Sequence, residues 1–346
     1  MIKTNQRTLG ASGLVVPAVG IGIGSWGDSQ LDYGKSHTRQ DVLQAYRTCL
    51  DAGLNFFDTA AMYGRGESER LLGECYRDDG RPIIIASKFA PPIIYTPSFM
   101  GPPPETRLRQ ALDGSLQRLG VECIDLYQLH VPPSPRQLNA YIDALADSVR
   151  EGLVRAVGVC NFNAPMLRRA YARLADHKIP LASNQVHYNL LHYYPEQNGV
   201  LDACRELDIA LIAHTPVESG VLSGKYRTGN MQIPRFYRLR WATERLDLFK
   251  ETRGSVSTVR RLLSQTRSLQ REKIEPLFVV LEEVARVHEK TIAQVTLNWL
   301  LTRDECVIPI PGAKNGRQAH ENAGALGWRL TEEEHERISQ AEIATR

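Results

Sequence analysis

Residues 123–160 read CIDLYQLHVPPSPRQLNAYIDALADSVREGLVRAVGVC, and two short apolar runs, 123–130 and 154–160, flank an amphipathic stretch over 136–151. The runs lack the two-residue alternation of a strand with one wet face, so they read as strands buried on both faces, the habit of parallel sheets. Parallel neighbours need a crossover, and the stretch between the runs is long enough to supply it as a helix. The segment therefore reads as strand, helix, parallel strand.

The same alternation extends in both directions. Further apolar runs are GIGIG (20–24), LNFF (54–57), PIIIAS (82–87), ASNQV (182–186), IALIAH (209–214) and CVIPI (306–310). Helical patterns lie between them at 38–52, 105–119, 164–176, 196–207, 291–303 and 315–326, the first opened by the capping residue Thr38 and stopped by Gly53. Eight strands with helices between them predict an α/β chain folded as a (β/α)8 TIM barrel. A doubly wound open sheet is the rival, but Gly20, Gly22 and Gly24 are followed by Ser25-Trp26 and not by the helix of a GxGxxG fingerprint. Barrels of this size fold as one unit, so residues 1–346 are expected to form a single domain. Two parts depart from the repeat. Residues 7–19 carry the turn signal Ala11-Ser12-Gly13 and predict an N-terminal β-hairpin plugging the barrel. Residues 227–271 hold 11 basic and three acidic residues, a basic insertion or lid in the seventh βα unit.

Composition excludes several classes. The chain has 346 residues, 42% hydrophobic and 23% charged, with a net charge of +3. That is ordinary for a globular protein and too near balance to argue for a nucleic-acid or membrane partner. No run approaches the roughly 18 apolar residues of a membrane span. The first ten residues, MIKTNQRTLG, lack the layout of a secretory signal. The six cysteines are scattered singly, with no CxxC pair, and read as reduced thiols of a cytoplasmic protein.

In such a barrel the reacting groups stand at the C-terminal ends of strands. Those positions carry Asp58, Lys88 and His130, with Tyr63 in the loop after Asp58. The set suits proton donation to a developing alkoxide. A tyrosine is a poor acid near neutrality unless a cation favours its phenolate, which Lys88 can supply while Asp58 holds Lys88 charged and oriented. His130 can donate a second hydrogen bond to the same oxygen. No nucleophile and no zinc-ligand spacing is present. Carbonyl reduction needs a hydride that side chains cannot supply, so a nicotinamide cofactor is implied.

Over essentially its whole length the sequence resembles the aldo-keto reductases. The resemblance is carried by GLNFFDTAAMYGRGESERLLG (53–73), IIIASKFA (83–90) and RLGVECIDLYQLHVP (118–132). It implies Asp58, Tyr63, Lys88 and His130 as the catalytic tetrad, NADPH as cofactor, and reversible reduction of an aldehyde or ketone to the alcohol. GVCNF (158–162) is similar to the family's GVSNF, which places Asn161, with Gln185, at the nicotinamide carboxamide, Cys160 standing where serine is usual. AHTPVESGVLSGKY (213–226) resembles AYSPLGSGLLTGKY. There His214 replaces the aromatic residue stacked on the nicotinamide, and Glu218 replaces a glycine. Thr215, Pro216, Val217, Ser219, Leu222, Ser223 and Lys225 are implied as the pyrophosphate clasp. IPIPGAKNGRQAHEN (308–322) implies Gly312, Lys314, Gln318, Glu321 and Asn322 around the adenosine, with Lys314 favouring the 2′-phosphate of NADPH over NADH. Trp26, Phe89 and Tyr95 are expected to line the substrate pocket, with Phe99, His187 and Tyr188 nearby. The expected partner is a small carbonyl compound. The alternative is an NADPH-binding sensor resembling the potassium-channel β subunits, whose sequences also keep the tetrad.

Overall fold

The computed structural model of the chain describes residues 5–91, 101–226 and 269–343. Two short strands, β1 (Gln6–Thr8) and β2 (Val15–Pro17), pair antiparallel as the expected hairpin. Eight strands then form one sheet in chain order: β3 (Ile21–Gly22), β4 (Phe56–Asp58), β5 (Ile84–Phe89), β6 (Ile124–Leu129), β7 (Val154–Cys160), β8 (Leu181–His187), β9 (Ala210–His214) and β10 (Val307–Ile310). Every neighbouring pair is parallel. The two edges meet: Gly20 N–H donates to Pro309 O and Gly22 N–H to Pro311 O, each at 3.0 Å. A Cβ on Gly22 would stand 3.0 Å from Ile310 O, so the absence of a side chain is what lets this seam close.

The crossovers are helical, α1 (Arg39–Asp51), α2 (Glu67–Asp79), α3 (Pro104–Leu119), α4 (Leu138–Arg150) and α5 (Ala164–Asp176) in the first half. They continue with α6 (Tyr194–Gln197), α7 (Val200–Glu206), α8 (Leu269–Val287) and α9 (Ile292–Arg303), and α10 (Gly316–Ala323) and α11 (Glu332–Ile343) follow the last strand. Thr38 opens α1 with a capping box to Asp41. The helix expected over 196–207 is instead two pieces, because Gly199 between them takes a left-handed φ of 75° that a continuing helix cannot accommodate. Of the basic segment, 227–268 lies outside the described residues, and 269–271 open α8. The six cysteines form no disulfide.

The barrel interior is layered. Phe56, Ala86, Leu126, Ala156 and Ile308 fill its N-terminal half, and Leu9, Leu14 and Val16 of the hairpin region close it from below. Side chains repeat their face every second residue along a strand. Two residues beyond Phe56, Ala86 and Leu126 the same interior therefore receives Asp58, Lys88 and Gln128. One apolar layer supports one polar layer, and the polar layer is the floor of the site.

Candidate active site

Lys88 is fully buried and Asp58 nearly so. Lys88 Nζ donates to Asp58 Oδ1 at 2.5 Å and to Thr59 O at 2.7 Å. A carboxylate this deep needs donors on both oxygens. Asp58 Oδ2 accepts from Gln185 Nε2 at 2.8 Å and from Gln128 Nε2 at 3.5 Å. Gln128 is oriented in turn by donors to its Oε1, Ser183 Oγ at 3.2 Å and Cys160 Sγ at 3.8 Å. Burial alone would lower the Lys88 ammonium, but the charges of Asp58 and Tyr63 turn the balance upward, so it stays charged.

Tyr63 opens the short helical turn Tyr63–Gly66 in the loop after β4. Gly24 makes room for it, since a Cβ there would lie 3.4 Å from the Tyr63 ring. Lys88 Nζ stands 5.0 Å from that ring's centroid, and the His130 ring meets it edge-on at 5.5 Å and 87°. Burial pushes the Tyr63 phenol up, with Lys88 acting against it. Lys88 acts in the direction the sequence implies, and desolvation outweighs it. The His130 imidazole is held down to about 3, by burial first and by Lys88 second, so it is neutral. Its Nδ1 is buried without a hydrogen-bond partner among the described residues. The four predicted side chains, from β4, β5, the residue after β6 and the loop after β4, thus converge on one mouth.

Beyond the floor, Asn161 follows β7 at a φ of 61° with its Nδ2 donating to His130 O at 3.3 Å. The turn 215–224 follows β9. Thr215 and Ser219 take positive φ in it, and the Ser223 hydroxyl donates to Gly220 O at 2.8 Å. Leu222 is fully buried, its carbonyl accepting from Thr296 Oγ1 at 3.2 Å, so it adds no surface to the turn. Asn315 caps α10 through the Gln318 N–H, Gln318 Oε1 accepts from Lys314 N–H, and Asn322 Nδ2 donates to Gly312 O. Lys225 is held down by burial, then by the charges of Lys314 and Arg317, with Glu321 opposing. Arg317 was missed in the sequence, though its place in the first turn of α10, three residues after Lys314, was the available signal. Gln128 was also missed, as a polar residue inside an apolar run. Cations gathered at a helix N-terminus suit an anionic group, and so the residues present fit a phosphorylated cofactor.

The substrate side differs from expectation. Trp26 is fully buried, its indole N–H donating to Ala313 O at 2.8 Å and its ring tilted on Phe57, so it packs the barrel's rim and offers no surface to a ligand. Tyr188 is buried against Trp299 with its hydroxyl on Glu196, away from the mouth. Phe89 leans on Tyr141 at 5.8 Å. Tyr95 and Phe99 lie outside the described residues. Among the described residues no cluster of His, Cys, Asp or Glu is placed to hold a metal ion, and no helix is long and apolar enough to cross a membrane.

The chain is similar to known proteins over most of its length. The model of the aldo/keto reductase family matches residues 18–343. The chloroplastic pyridoxal reductase of Arabidopsis thaliana is 32% identical over 345 residues, covering 95% of this chain and 84% of that protein. An aldo-keto reductase of Schizosaccharomyces pombe, named for NADP(+), is 30% identical over 94% of this chain and 88% of its own length. Among solved structures, the glycerol dehydrogenase of Gluconobacter oxydans superposes with a TM-score of 0.76 at 22% identity, over 98% of this chain and 95% of that one.

Proposed function

The chain belongs to the aldo/keto reductase family, and from that membership and its site we propose that it reduces an aldehyde or ketone to the alcohol with NADPH, Tyr63 being the proton donor. The observation that carries the reading is the convergence on one opening of the Tyr63 phenol, the neutral His130 and the Lys88–Asp58 pair. NADPH, when bound, supplies the reducing equivalent to the carbonyl carbon. The chain's own residues handle the oxygen. His130, neutral because it is buried beside Lys88, donates a hydrogen bond to it and fixes its position. Tyr63 transfers its phenolic proton to it, and the phenolate left behind sits beside the Lys88 ammonium that Asp58 holds in place. Solvent returns the proton to Tyr63 between turnovers.

For the cofactor, Asn161 and Gln185 hold the carboxamide. Gln185 spends its amide nitrogen on Asp58, which leaves Oε1 to accept a carboxamide N–H. His214 carries the nicotinamide face. Lys225, Lys314 and Arg317 attract the phosphates, and their positive charge favours NADPH over NADH. The test is NADPH oxidation, followed by its absorbance, against a panel of aldehydes and ketones that includes pyridoxal. Turnover of some panel members supports the reading. Tight NADPH binding with no turnover of any of them overturns it.

A further inference from the structure

Among the departures of the stretch 213–226 from the segment it resembles, His214 and Glu218 change the chemistry most, and the structure joins the two. His214 and His187 end adjacent strands in register. Their rings lie 5.3 Å apart with planes 16° from parallel. His187 also stacks on His192, at 4.0 Å and 9°. Three near-parallel imidazoles therefore stand at the end of the barrel that carries the site. Glu218 fixes the edge of the middle one: His187 Nε2–H donates to Glu218 Oε2 at 2.9 Å. Asn189 Nδ2 donates to the same oxygen at 2.6 Å and to Thr215 O at 2.9 Å, tying the carboxylate to the residue after His214.

Two features argue that this arrangement has a purpose. Glu218 is almost completely buried, which is costly for a carboxylate unless its partners are built for it. It also holds a φ of 44°, a conformation easy for glycine and strained for glutamate. Such strain persists only where the surroundings enforce it, and it concentrates at functional sites. An imidazole is smaller than a phenol and has less face to stack. Fixing its orientation beforehand lowers the entropy lost when a planar ligand settles on it.

We infer that Glu218 and His187 are positioning residues for the nicotinamide ring: the carboxylate fixes His187, and the His187 ring fixes the His214 face on which the nicotinamide lies. The inference rests on the reading of His214 given above. It is tested by titrating protein fluorescence with NADPH and with adenosine 2′,5′-bisphosphate, which lacks the nicotinamide. Glu218→Gly removes the brace and relieves the backbone strain, so the variant folds. It should bind NADPH about tenfold more weakly and the bisphosphate as wild type does. Glu218→Gln, whose amide oxygen still accepts from His187, should keep most of the affinity. In the His214→Tyr background, where the larger ring needs no brace, Glu218→Gly should have no effect on NADPH. Equal losses for both ligands, no loss for NADPH, or the same loss in both backgrounds would overturn the inference. Should His214→Ala leave NADPH binding unchanged, the reading of His214 itself fails. That result differs from one in which His214→Ala weakens NADPH and Glu218→Gly does not.

Discussion

At Tyr63 two surroundings pull in opposite directions. Burial raises the phenol and the Lys88 ammonium lowers it, and burial prevails. A phenol held up in this way keeps its proton through neutral pH, which an acid must do, while Lys88 waits to stabilise the phenolate formed during the reaction. Tyr63→Phe removes only the hydroxyl. Turnover should fall by about 10²–10⁴-fold while NADPH affinity, measured by fluorescence, holds. A variant turning over at the wild-type rate would remove Tyr63 as the proton donor. His130 gives a prediction on stability. Its native imidazole, held down to about 3, binds no proton across a range where the unfolded chain's histidine, near its ordinary value of 6.5, does. The unfolded state then binds more protons, so stability rises with pH through that window and falls on acidification. Replacing His130 with glutamine should flatten the dependence of Tm on pH between about 4 and 6. The same slope as wild type would show that the loss originates elsewhere.

At the scale of elements, the barrel seam depends on one missing side chain. Gly22→Ala places a Cβ 3.0 Å from Ile310 O, a backbone atom that cannot swing aside. The variant should lose about 1–3 kcal/mol, read as a lower urea midpoint at unchanged slope. Wild-type stability would mean that the edges of β3 and β10 can part freely. The strands were legible because burial on both faces writes an unbroken apolar run, and the catalytic side chains were legible because they end those runs. α2 was not read as a helix, and its buried face explains why. That face includes Ser68, which donates to Ile23 O, and Glu69, which takes Ser87 Oγ on one oxygen and Arg118 Nε on the other. Only Leu71, Leu72 and Cys75 give that face an apolar character, so the polar groups Ser68 and Glu69 cut its stripe short at the helix start. α11 hid for the opposite reason: of its described side chains only Ile338 is fully buried. Gln128 and the His187–Glu218 contact were illegible because each joins residues far apart in the chain, and periodicity reports only which face a residue takes. Trp26 and Tyr188 were misplaced for the same reason, since an aromatic ring beside a strand end can turn inward as readily as toward the mouth.

Across the whole molecule the net charge of +3 is small for 346 residues, so long-range attraction does little to gather an anionic cofactor. The charge that matters is local. Lys314 is half-buried and Lys225 is more exposed, and both ammonium groups are held down, by desolvation first and, for Lys225, by Lys314 and Arg317 next. Among the described residues Lys314 Nζ donates only to a backbone oxygen, that of Leu31 at 3.0 Å, while its N–H is tied to Gln318. Repulsion among partly desolvated cations opposes folding, and an anion bound among them relieves it, so cofactor binding and stability are linked through this cluster. Lys314→Ala removes one member. The free variant should melt no lower than wild type, because repulsion goes with the charge. The rise in Tm on adding NADPH should shrink, and affinity should fall about tenfold for NADPH and far less for NADH, which has no 2′-phosphate to lose a partner. Equal losses for the two nucleotides would put the 2′-phosphate beyond the reach of Lys314, and a lower melting temperature without ligand would show that its bond to Leu31 outweighs the repulsion.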